Sequence, residues 1–133
     1  MKTYFVVVGV VQNPEGKILL LRKSMDDKVY PGKWSFCAGH VQEFEAGEDC
    51  VLREILEETG LHATIEKPAK IIEVTDSHKD RSWVVACYLC KVASNGVKLC
   101  HENSDHRWVC LNEIKHFDMV PGSEKDLKAL GLS

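Results

Sequence analysis

Arg53, Glu54, Glu57 and Glu58 fall within six residues. On a helix, three glutamates spaced by three and four share one side. Like charges four residues apart destabilise an isolated helix by roughly 0.2–0.5 kcal/mol per pair, a cost that a bound cation reverses. The cluster also lies just before Gly60, a residue type that ends helices, so its charge sits where the helix dipole disfavours it. A solvated acidic face is the bland reading of a lone Glu-Glu pair, and the third carboxylate and the placement favour a cation instead. Carboxylates with no His or Cys among them suit Mg2+, or Mn2+, better than zinc. The planar guanidinium of Arg53 can hold one of these carboxylates in a fixed orientation.

The cluster is part of a longer pattern. From Gly39 to Leu61 the chain reads GHVQEFEAGEDCVLREILEETGL, with Gly39, Glu45, Arg53, Glu54, Glu57, Glu58 and Gly60 at fixed offsets. Seven chosen identities coincide by chance in on the order of one window in 10^8. The stretch resembles the Nudix hydrolase box, G-x5-E-x7-R-E-U-x-E-E-x-G-U, with no position missing. The resemblance implies an α/β/α sandwich with a mixed β-sheet, and hydrolysis of a nucleoside diphosphate linked to a moiety X by attack of water on the pyrophosphate. It also implies roles within the box. Glu57 and Glu58 would be metal ligands, Glu54 a ligand or the base, the Gly39 carbonyl a further ligand, and Arg53 an orienter. Glu45 would belong to the site, with Glu48 left as a competing first-turn residue favoured by the dipole.

Outside the box, Nudix enzymes often supply another glutamate from a loop, and Glu102 resembles it, with Asp105 as rival. Arg22 at a strand end is a candidate for phosphate. Trp34 is a candidate for stacking on a base, against the alternative of core packing. Where enzymes for ADP-ribose tend to carry Pro the chain has Asp76, and where those for diadenosine compounds place Tyr it has His78. By elimination the expected substrate is a nucleoside triphosphate, damaged or noncanonical ones included, giving NMP and pyrophosphate. ADP-ribose or another nucleotide sugar is the alternative. A non-catalytic nucleotide sensor and an isoprenoid diphosphate isomerase are rivals from other classes.

The elements that must position these groups follow from periodicity. The pattern predicts a strand over Tyr4–Gln12, a hairpin turn at Asn13–Gly16, and a strand over Lys17–Arg22. A loop over Lys23–Lys33 leads to a short strand at Trp34–Ala38. The box helix spans about 48–59, with Val51, Leu52, Ile55 and Leu56 as its apolar stripe and Gly60 closing it. Ala63–Thr75 reads as a strand broken at Pro68, Asp76–Arg81 as a charged loop, and Trp83–Val92 as a strand. The polar stretch His101–Arg107 precedes a short strand at Trp108–Leu111. Two helical pieces close the chain, the second near Ser123–Leu130 with Ser123 as N-cap.

Composition bounds the rest. A chain of 133 residues has room for one domain with one core, residues 1–133. The net charge is −3, yet Glu43–Glu58 alone carries −6, leaving the remainder slightly basic. A local negative well suits a divalent cation and, through it, a nucleotide-type small molecule, and argues against nucleic-acid wrapping. The apolar run Tyr4–Val11 is eight residues, too short for a membrane span, which needs about 20. Six cysteines without a signal peptide point to free thiols and the cytoplasm. Cys87 and Cys90 have C-x2-C spacing, but three apart on a strand they face opposite ways. A monomer or a homodimer is expected.

Overall fold

The computed structural model describes residues 2–67 and 69–132. Its strands are β1 (Lys2–Gln12), β2 (Ile18–Lys23), β3 (Trp34–Ser35), β4 (Cys37–His40), β5 (Ala63–Ile65), β6 (Lys70–Asp76), β7 (Arg81–Val92) and β8 (Asn103–Val109). Its helices are α1 (Gly47–Thr59) and α2 (Ser123–Ala129), with 3-10 turns at Ser77–Lys79 and Leu111–His116. The eight strands form one mixed sheet among the described residues. Its axis is the parallel pairing of β1 with β7 from Lys2–Arg81 to Gln12–Lys91. Among the described residues no helix is long and apolar enough to cross a membrane.

The near-continuous apolar run of β1 marks a strand covered on both faces. Val6, Val8 and Val10 point to one core with Val85, Cys87 and Leu89 of β7 and Leu127 and Leu130 of the C-terminal segment. Val7 and Val11 point to the other with Ala86, Tyr88, Cys90 and the α1 residues Val51 and Ile55. Cys87 and Cys90 therefore occupy opposite cores as free thiols. Helix, sheet and helix make the α/β/α layering.

Several elements depart from expectation, the strands because tertiary pairing overrode local pattern. The Asn13–Gly16 turn forms, but β1 and β2 meet only at Gln12–Ile18 and then diverge. The segment 34–40 fills the opening, pairing first with β2 and then, past Phe36, with β1. The strand expected at Trp108 begins at Asn103, since the polar stretch before it pairs along β2. Ala63–Thr75 is two strands, and the expected break at Pro68 lies outside the described residues. At α2 the N-cap is Gly122 rather than Ser123, whose hydroxyl instead donates to the Val120 carbonyl at 2.9 Å. On α1, Leu56 is 42 % exposed while Glu58 is buried, so the inward stripe carries an acid. Gly60 is left-handed at φ 73° and ends the helix as expected.

Candidate active site

The partner switch at Phe36 lays Ala38 and Gly39 against α1. A methyl group on Gly39 would fall on the Glu54 carboxylate, so only glycine lets this side chain reach the strand. Glu58 passes beneath and accepts the Ala38 N–H at 3.3 Å. Burial raises its carboxyl to about 8, reinforced by the charges of Glu54 and Glu102 and opposed by the Ala38 N–H and Lys23. Glu54 is also raised, by burial first, with Glu57 and Glu102 adding to it and Arg53 opposing.

Arg53 is the hub. Its Nε and Nη2 donate to the two Glu45 oxygens at 2.7 and 3.0 Å, and its Nη1 donates to Glu54 at 2.8 Å and to Glu57 at 3.1 Å. This fork holds the Glu45 carboxyl down at about 2 and keeps Arg53 charged throughout. Glu45 also accepts the Gln42 N–H at 3.1 Å, so it ties the loop after β4 to Arg53. Glu48 lies exposed in the first turn of α1.

These groups border an open cleft of about 580 Å3, lined by Gly39, Arg53, Glu54, Glu57 and Glu102 at one end. Glu102 reaches it from the turn before β8, whose carbonyl accepts the Ser24 N–H. Its rival Asp105 lies on β8, where it accepts the His106 N–H and contacts Arg107. Arg22 does not join the lining: its Nε donates to the Gly32 carbonyl at 3.0 Å, bracing the loop 24–33. Lys23, the next residue on β2 and so on its opposite face, borders the cleft instead, and the bulge at this point falls on β8, where Ser104 lies between the partners of Arg22 and Lys23. Trp34 packs edge-on against Phe117 with centroids 5.2 Å apart and is not part of the cleft lining.

The far end was not legible in the sequence. Val6, Val8, Val74 and Val85 form its walls, with Tyr30 and Trp83 at 6.2 Å between ring centroids and Asp126 from α2. Tyr30 is fixed by donating to Asp76 at 2.6 Å.

Among the described residues no three His, Cys, Asp or Glu side chains converge as a ready metal centre. Arg53 instead holds Glu54 and Glu57. The donor set nonetheless fits a hard divalent cation: all-oxygen ligands, mutually repelling carboxylates, and a glycine cradle at Gly39 that a side chain would fill.

A sheet between two helices, with an arginine-clamped glutamate cluster on one helix, defines a hydrolase of nucleotide anhydrides. The NUDIX domain family profile matches residues 3–130, and the chain belongs to that family, whose hydrolases cleave phosphoric anhydride bonds in nucleotides. It is 28% identical to the nucleoside triphosphatase NudI of Escherichia coli, over 99% of both chains. Its fold matches the MutT protein of Methanosarcina mazei with a TM-score of 0.81 at 26% identity, over 94% of this chain and 89% of that one. It also matches the NUDIX domain of Shewanella oneidensis NrtR, complexed with ADP ribose, with a TM-score of 0.80 at 18% identity, over 97% and 86%.

Proposed function

We propose that this enzyme is a Mg2+- or Mn2+-dependent pyrophosphohydrolase that converts nucleoside triphosphates to nucleoside monophosphate and pyrophosphate. The observation that carries the reading is the polarity of the cleft. Glu54, Glu57, Glu102 and Lys23 line one end, while the other gathers four valines, Tyr30 and Trp83, with Asp27, Arg81 and Asp126 as its charged groups, a division that suits a phosphate chain joined to a base. The relationship to NudI over the full length of both chains supports the triphosphate as substrate.

Glu57 and Glu58, with Glu102 and the Gly39 carbonyl, would hold the cation, which when bound neutralises phosphate charge and acidifies water. Arg53 occupies one Glu54 oxygen, which leaves the other to accept the proton of the attacking water. Burial raises the Glu54 carboxyl, which strengthens it as a base. The water oxygen bonds to the α-phosphorus, the α–β bridging P–O bond breaks, and pyrophosphate leaves with the electron pair. Lys23 faces the chain as a cation. Free thiols suit a reducing compartment, and we place the enzyme in the cytoplasm.

The test is a panel of nucleoside triphosphates, ADP-ribose, dinucleoside polyphosphates and isopentenyl diphosphate with Mg2+. The expected result is pyrophosphate with monophosphate from triphosphates. Release of orthophosphate, turnover of ADP-ribose alone, a rearranged diphosphate, or no turnover would each overturn it.

A further inference from the structure

Asp126 is 7% exposed yet borders the cleft. Its one side-chain partner among the described residues is the Cys87 thiol, which donates to Oδ1 at 3.3 Å. Its second oxygen has no hydrogen-bond partner there and, since no fully buried side-chain oxygen is left unpaired among the described residues, it keeps access to the cleft that the residue lines. An acid so placed is costly unless a donor meets it. Its position is fixed from outside the pocket. Gly122, at φ 92°, brings α2 so close to β6 that a methyl there would lie 2.7 Å from a Val74 methyl, and the Asp126 N–H closes on the Gly122 carbonyl.

The sheet sets the distance to the acidic end. Val8 stands opposite Ala38 on one side and Cys87 on the other. Asp126, over Cys87, is thus about two strand spacings, roughly 10 Å, from the Ala38 N–H that holds Glu58. A nucleoside bridges that span.

Resting on the triphosphate reading above, we propose that Asp126 is a specificity residue of this cleft. Its free oxygen accepts the exocyclic amino group of a 4-amino pyrimidine or 6-amino purine and rejects the corresponding keto base. Val6, Val8, Val74 and Val85 with Tyr30 and Trp83 enclose the ring, and the carboxylate supplies the polar contact at its edge. A keto oxygen in the same place leaves two acceptors facing each other, with neither satisfied.

The experiment compares CTP with UTP and ATP with ITP, pairs that exchange amino for keto at the equivalent ring position, at about pH 8.5 so that the acid is ionised. In the wild-type enzyme kcat/KM favours the amino member of both pairs by at least about tenfold. In Asp126→Asn, which can donate to a keto oxygen, the ratios fall to within about twofold of one. Ratios near one in the wild-type enzyme, or ratios unchanged in the variant, overturn the proposal. If Asp126→Asn does not fold, the wild-type pairs decide, since both must favour the amino member. Binding of CMP against UMP, followed by Trp fluorescence, separates this proposal from the reaction. A binding preference without turnover would sink the triphosphatase reading and keep Asp126, whereas turnover without preference would do the reverse.

Discussion

Glu58 and Asp126 are buried almost equally, at 6% and 7% exposure, and both carboxyls hold protons far above the ordinary range, yet their surroundings differ. Glu58 has Glu54 and Glu102 pressing against its charge, with the Ala38 N–H and Lys23 opposing. Asp126 is raised by burial, with only the Cys87 thiol in opposition. Burial is the largest cause for both. At Glu58 repulsion adds to it, which a cation removes for the whole cluster at once, whereas at Asp126 desolvation acts alone and only a donor at one point removes it. On the proposed reading, one end of the cleft takes charge and the other reads shape and a hydrogen bond.

The most severe test of that contrast is Glu58→Gln. It leaves shape and packing nearly unchanged but removes a carboxylate from the cluster, and kcat should fall about 10^3-fold. The loss should be the same for every base, as steady-state rates across the panel would show. A loss confined to one base would mean that the two ends do not divide the work.

Asp126→Asn should leave its mark on stability. The Asp126 carboxyl lies at about 7 against its ordinary 3.8. Its protonated form is the one the fold prefers, so this contribution is complete below about pH 4 and is lost as pH rises through 7. Between those limits wild type should lose on the order of 4 kcal/mol relative to Asp126→Asn. Urea midpoints of the two proteins at steps from about pH 4 to 8 check it. Glu58 contributes a slope of the same sign to both proteins, so it cancels in the difference. Parallel curves would mean that Asp126 is solvated after all.

The same contrast explains what could be read in advance. The acidic end lies within one local segment whose offsets are set by a single helix and the loop before it, and so Arg53, Glu54, Glu57 and Glu58 were visible as a pattern. The burial of Glu58 was not, because it depends on the chain passing from β3, paired with β2, to β4, paired with β1, beneath the helix. The apolar end draws on β1, the loop after β2, β6, β7 and α2. Val6, Tyr30, Trp83 and Asp126 have no common spacing, and each alone reads as an ordinary core or loop residue. Arg22 and Lys23 illustrate a third reason. As neighbours on β2 they face opposite ways, and periodicity alone does not say which of the two faces borders the cleft, where Lys23 lies.

Gly39→Ala probes the join between β4 and α1. The added methyl would occupy the space of the Glu54 carboxylate, and the strand cannot retreat without losing its pairing with β1. Glu54 must therefore swing away from Arg53, and kcat should fall about 10^2-fold with the circular dichroism spectrum unchanged. A near-wild-type rate would show that Glu54 acts from another position.

The smallest effect separates Glu102 from Arg22, two loop-proximal residues that the sequence offered on similar grounds. Glu102 borders the cleft and its charge is felt by both Glu54 and Glu58, so Glu102→Gln should cost about tenfold and raise the Mg2+ concentration needed for half-maximal rate. Arg22 is held by the Gly32 carbonyl on an exposed strand end, so Arg22→Ala should change kcat/KM by less than about twofold. A Mg2+ titration of both variants tests the pair together, because a ligand moves the metal midpoint and a loop brace does not. If Arg22→Ala moved that midpoint as far as Glu102→Gln, Arg22 would be acting on the cleft rather than bracing the Gly32 carbonyl.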